Sequence, residues 1–188
     1  MGISAAVAEM MERSSWIRRM FETGAQLKAE HGADNVYDFS LGNPDADPPE
    51  LFFDTLKGLA AENKPGVHAY MPNAGIGEVR ERIASYVSEE QGIEVSADRI
   101  VMSCGAGGGM NVVLKSILNH GEEVLVTTPY FMEYTFYAGN HGGKLVPVPG
   151  RSNFDLNIEN FERAINERTA AVIINSPNNP TGYVYPEE

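Results

Sequence analysis

Ala170-Ala171-Val172-Ile173-Ile174 runs directly into Asn175-Ser176-Pro177-Asn178-Asn179-Pro180-Thr181-Gly182. The apolar, partly β-branched run reads as a buried strand. The loop after it cannot prolong that strand. Pro177 and Pro180 lack backbone donors, and each steers the residue before it away from helical angles. Three asparagines offer amide groups, and Gly182 permits backbone angles closed to other residues. A buried strand therefore ends in a rigid polar loop, at the carboxyl end where open α/β sheets bind ligands.

Upstream, the sequence repeats that plan. Ile100-Val101-Met102-Ser103 reads as a short strand leading into Cys104-Gly105-Ala106-Gly107-Gly108-Gly109-Met110 and an amphipathic helix. Strand, glycine-rich turn and helix N-terminus form a generic anion cradle, because free N–H groups and the helix dipole both favour phosphate. A dinucleotide fingerprint fails at Met110, where its third glycine belongs, and no Gly-Lys-Ser/Thr follows for a Walker loop. Glu123 to Thr127 is the next expected strand, ending in Thr128-Pro129-Tyr130-Phe131-Met132-Glu133-Tyr134. A helix to about residue 140, a strand over 144–148 and a helix over 157–168 complete the alternation. Such alternation implies an α/β fold with a mostly parallel sheet and flanking helices. Three strand ends then carry ligand groups: 105–107, Phe131 and Asn179.

Taken together, N-x-P-N-N-P-T-G, P-Y-F-x-x-Y and the glycine turn resemble the fold-type I pyridoxal-phosphate (PLP) aminotransferases of the aspartate aminotransferase family. The resemblance covers about Phe39 to Gly182, with the motifs in the family's order. It implies that Asn179 hydrogen-bonds the ring hydroxyl of PLP and the substrate carboxylate. Backbone N–H groups at Gly105, Ala106 and Gly107 would hold the phosphate, and Phe131 would stack on the pyridine ring. Many relatives carry Lys, Ser or Thr where Gly107 stands, so phosphate would lean more on backbone here. Phe39-Ser40-Leu41-Gly42-Asn43-Pro44-Asp45, which begins within a short strand expected over 36–41 and runs past its end, resembles the segment crossing the active-site mouth. Gly42 would there donate its N–H to the substrate carboxylate. Tyr70, before Pro72-Asn73-Ala74-Gly75 and a helix from Ile76 or Gly77 to Glu90, matches the tyrosine that reaches the phosphate of the other subunit in a homodimer.

Two further helices are expected near the N-terminus, over about 4–30 and about 49–63. The first has an apolar stripe that suits core packing, or an interface by resemblance. The implied division is an N-terminal arm with the start of a small domain over 1–45, and the first half of the PLP-binding large domain over 46–188.

Composition narrows the remaining choices. The 188 residues are 43% hydrophobic and 21% charged, as in ordinary globular proteins. A formal net charge of −12 argues against a nucleic-acid surface. Glu9 and Glu12 interrupt the apolar residues a signal peptide would need, and no run approaches membrane-spanning length. The sole cysteine, Cys104, excludes an intramolecular disulfide and suits a reducing cytosol, so a cytoplasmic location is expected. No metal site is expected.

The family's Schiff-base lysine, its pyridinium-pairing Asp and its carboxylate-clamping Arg all lie beyond the N-P-T-G loop. Lys28, Lys57, Lys64, Lys115 and Lys144 are the only lysines, and none matches the catalytic position. No catalytic residue is therefore assigned. The sequence reads as the N-terminal half of an enzyme that moves an amino group between an amino acid and a 2-oxo acid, inactive by itself. The alternatives are a PLP-dependent lyase or decarboxylase on the same scaffold, and a non-catalytic interaction module.

Overall fold

The computed structural model describes residues 2–39, 46–62 and 64–186. The chain divides into two compact units, Met1–Ala69 and Tyr70–Glu188. In the first unit, α1 (Ala5–His31) starts where the Ser4 hydroxyl accepts the Val7 N–H at 3.3 Å and stops at Gly32. A Lys28–Asp38 ion pair at 2.8 Å ties its last turn to the segment that follows. Residues 36–39 are irregular, so the strand expected over 36–41 is absent from its described part; they have no partner strand, and extended chain without one has no ladder to join. α2 (Glu50–Glu62) contains no buried residue, and Leu51, Phe52, Leu56 and Leu59 are all exposed.

The second unit is a parallel α/β sheet with helices on both faces. α3 (Gly77–Gln91) and α4 (Gly105–Ile117) precede β1 (Glu123–Thr128), α5 (Glu133–Gly139), β2 (Lys144–Pro149), α6 (Ile158–Ala164) and β3 (Thr169–Ile173). The strand order is β2-β1-β3, with both neighbours parallel to β1. β1 is central and buried along its length, as an apolar run flanked on both sides should be. Its side chains alternate between two cores. Val124 and Val126 pack with Leu114 of α4, Ala138 of α5 and Ile173 of β3. Leu125 packs oppositely with Val148 of β2 and Phe161 of α6. The chain thus leaves β1 over one face to reach β2, then crosses the other face to β3, which makes the carboxyl end of β1 a switch point.

Three sequence expectations change. Residues 100–103 are extended but unpaired, so they add no strand to the sheet. Their backbone is held instead by Met102 N–H to Ala74 O at 3.0 Å and by Arg80. The candidate ligand groups consequently lie at two strand ends and one helix start rather than at three strand ends. β3 is only half-buried, with Val172 exposed, because one of its edges has no partner among the described residues. α6 stops at Ala164, four residues short of the expected end. There Asn166 Oδ1 accepts the Arg168 N–H at 2.9 Å and the Thr169 hydroxyl accepts the Asn166 N–H at 3.0 Å. Those local bonds offer the backbone an alternative to helix.

Candidate functional site

Because β1 and β3 are adjacent and parallel, the loops that follow them emerge at one edge of the sheet. The loop after β1 carries Phe131, and the loop after β3 carries Asn179. A buried side chain joins the two. Asn178 Nδ2 donates to Pro129 O at 3.1 Å and lies 3.0 Å from Thr181 Oγ1, and the residue is only 6% exposed. The Asn178 N–H donates to Tyr183 O at 2.8 Å, and its carbonyl accepts the Gly182 N–H at 2.7 Å, closing the turn. Asn179 is set differently. Its backbone N–H donates to Asn175 Oδ1 at 3.0 Å, while its exposed amide bonds to no described residue. One asparagine builds the loop and the next is left free to meet a ligand.

The glycine turn enters through α4. Gly105 has φ +67°, a left-handed conformation in which other residues are strained, and open space lies where its Cβ would stand. The N–H groups of Ala106 and Gly107 lie in the first turn, where a helix has no i−4 acceptors to offer. At Gly107 a Cβ would stand 2.8 Å from the Tyr137 hydroxyl. Tyr137 belongs to a line of rings on α5 and the loop before it. Phe131 meets Tyr134 edge-on at 5.6 Å between centroids, and Tyr134 meets Tyr137 at 6.3 Å. Burial, and then the neighbouring Tyr137, push the Tyr134 hydroxyl's pKa up, so it stays a protonated donor at neutral pH. Phe131 remains 37% exposed, leaving ring surface for stacking.

Gly105, Ala106, Gly107, Phe131 and Asn179 therefore all fall within the second unit, connected through Tyr137, Tyr134 and Asn178. Tyr70 is fully exposed. Gly42 lies outside the described residues. Among those residues, no group of three His, Cys, Asp or Glu side chains could hold a metal ion. No helix among them is long and apolar enough to cross a membrane.

Three contributors escaped sequence reasoning. Asn178 was visible only as one of three asparagines. Tyr137 continues the spacing Phe131, Tyr134, Tyr137 at every third residue, a helical signal that could have found it. Arg80 stood in the motif that follows Tyr70 but was given no role, yet its guanidinium donates to Ile100 O at 2.8 Å and Ala97 O at 2.6 Å, clamping the segment that leads into α4.

The model of the aminotransferase class I and II family matches residues 34–188. The chain belongs to that family. A probable aspartate/prephenate aminotransferase of Aquifex aeolicus is 39% identical over 87% of this chain and 41% of its own length. The aspartate/prephenate aminotransferase of Thermus thermophilus is 36% identical over 79% of this chain and 38% of its own. The crystal structure of an aminotransferase from Eubacterium rectale superposes with a TM-score of 0.93 at 34% identity, over all of this chain and 48% of that one. The parallel sheet with flanking helices is thus the aminotransferase fold. The chain spans about two fifths of the length of these curated relatives.

Proposed function

We propose that this chain supplies the phosphate-cradling and ring-stacking portion of a PLP-dependent aminotransferase acting on an amino acid and a 2-oxo acid. The observation that carries the reading is the Asn178–Pro129 bond, which locks the loop bearing Asn179 to the loop bearing Phe131 at the switch point of the sheet. The residues present fit the cofactor: Gly105 leaves an unfilled cradle, two helix N–H groups lack internal acceptors, and an aromatic face is exposed. When bound, PLP supplies an electron sink for bond cleavage at the α-carbon of an amino acid.

The chain's own residues bind and orient. Ala106 and Gly107 hold phosphate through backbone N–H groups, aided by the positive end of α4, while Gly105, whose own N–H donates to Ser103 O at 3.1 Å, supplies the open left-handed turn. Phe131 covers one ring face as a plain π surface. The Asn179 amide donates to the ring hydroxyl or to the substrate carboxylate, and Gly42 offers a backbone N–H to that carboxylate. Tyr70 reaches the phosphate of a second subunit in a homodimer. Residues 1–45 form the N-terminal arm and the start of a small domain, and residues 46–188 the first half of the cofactor-binding large domain, in a cytoplasmic protein. No lysine among the five matches the Schiff-base position, so the 188 residues bind cofactor without turnover.

The test is borohydride reduction of the PLP-soaked chain, peptide mapping by mass spectrometry, and a transaminase assay on the same sample. The expected result is reversible PLP binding, no single lysine modified stoichiometrically, and no amino transfer. Turnover by the purified chain, or one lysine trapped one-to-one, would refute this division of labour.

A further inference from the structure

The contact between Gly107 and Tyr137 extends the phosphate reading and rests on it. Along the glycine run, a Cβ at Gly105 meets nothing within 4 Å, and one at Gly108 meets the Cys104 side chain at an ordinary 3.6 Å. Gly107 is different. Its Cβ would stand 2.8 Å from Tyr137 Oη and 3.4 Å from Cζ, closer to the hydroxyl than real Cβ atoms come. A side chain at 107 and the Tyr137 hydroxyl therefore exclude one another. The hydroxyl sits over Gly107 in the first turn of α4, the turn whose N–H groups have no helical acceptors, and bonds to no described residue.

The tyrosine is also held in place. Its ring packs against the core formed by Leu114, Val124 and Ala138 and tilts against Tyr134. The end of α5 is fastened to α4: Asn140 Nδ2 donates to Asn111 Oδ1 at 3.3 Å, and His141 Nε2 lies 3.1 Å from the same oxygen. Asn111 in turn donates to Gly107 O at 2.9 Å, so the network closes on the residue beneath the hydroxyl. The geometry points to Tyr137 as a cofactor-binding residue whose hydroxyl donates to the PLP phosphate, replacing a side-chain ligand at position 107. Gly107 is glycine because the tyrosine occupies its side-chain space. Such a bond to an anionic phosphate is charge-assisted and stronger than one between neutral groups.

The test measures equilibrium binding of PLP and of pyridoxal, which lacks the phosphate, to the full 188-residue chain and its variants. Circular dichroism and melting follow folding in parallel. The native chain is expected to prefer PLP, and Tyr137→Phe to lose about tenfold or more of its PLP affinity while keeping that for pyridoxal. Gly107→Ser alone is expected to weaken PLP binding and lower Tm, since its Cβ meets the hydroxyl. In the Tyr137→Phe background the same serine has room and is expected to restore PLP affinity to within a few-fold. A merely structural tyrosine would show no such rescue. PLP affinity unchanged in Tyr137→Phe, or serine no better in that background, overturns the inference and leaves the cofactor reading standing. A native chain that binds PLP no better than pyridoxal overturns both. Should Tyr137→Phe fail to fold, Gly107→Ala serves instead: it is expected to displace the hydroxyl and reduce the preference for PLP, and an unchanged preference overturns the inference.

Discussion

Replacing Asn178 removes a buried side chain that joins the two candidate ligand loops. Its amide contributes two short contacts, to Pro129 O and Thr181 Oγ1, from a residue with 6% exposure. Each such bond is worth about 1 kcal/mol net, so Asn178→Ala should cost about 2 kcal/mol. A larger penalty is not expected, because Thr181 Oγ1 still accepts the Tyr183 N–H and Pro129 is exposed enough for water to reach. In a chain of this size that corresponds to a Tm lower by about 4–8 °C. Asn178→Asp separates donor chemistry from volume. The carboxylate keeps the shape but turns an acceptor toward Pro129 O, so it should match or exceed the alanine at neutral pH. Protonation restores a donor; burial beside acceptors raises the folded-state pKa of such a carboxyl, so the gap to the native chain should narrow as pH falls through that raised value and be smallest below about 4. Differential scanning calorimetry between pH 3.5 and 7.5, with PLP titrations of the same variants, reads both effects. A Tm within 1 °C of native for Asn178→Ala, with PLP affinity intact, would refute the view that this bond assembles the site.

Arg80→Ala should lower Tm by a few degrees through two lost bonds to the carbonyls of residues 97 and 100, and should weaken phosphate binding at α4; Arg80→Lys, unable to reproduce the fork, should recover little of either. Phe131→Ala should reduce PLP affinity about tenfold with little change in Tm, since the ring is part-exposed and its edge-on contact with Tyr134 is worth only about 1 kcal/mol; an equal loss of stability and binding would count against a stacking role. At Glu123, the Asn166 amide first, and then Arg168 at 2.7 Å, hold the carboxyl below its ordinary 4.5. A depressed folded pKa stabilises above the unfolded value and is lost as pH falls through the folded one. The stability lead of the native chain over Glu123→Gln should therefore be full above about pH 5 and should vanish in acid; a lead independent of pH between 3 and 7 would exclude the ionic contribution.

Much of the fold was legible because its signals are local. The β1 run and the turn residues on either side of it identify a buried strand without any partner, and Ser4 and Gly32 mark the ends of α1 in place. The glycine-rich turn over 105–109 was legible as a break between an extended run and a helix. The extended run itself could not be completed from sequence. Ile100 to Ser103 have strand composition, but whether they join a sheet depends on a neighbour, and Arg80 and Ala74 take their backbone bonds instead. α6 was read too long because Asn166 and Thr169 compete with the helix through bonds a hydrophobic pattern does not register.

The sequence alone determined the order of elements from α4 to β3, the parallel character of the sheet and the loops that carry the candidate ligand groups, since propensity, periodicity and turn chemistry act over a few residues. Only the tertiary structure decided which side chains assemble those loops into a site. Asn178 meets a carbonyl 49 residues away, and Tyr137 fills the space above Gly107. Such pairs form where packed helices and strands happen to bring them, a matter of three-dimensional distance that no local pattern encodes.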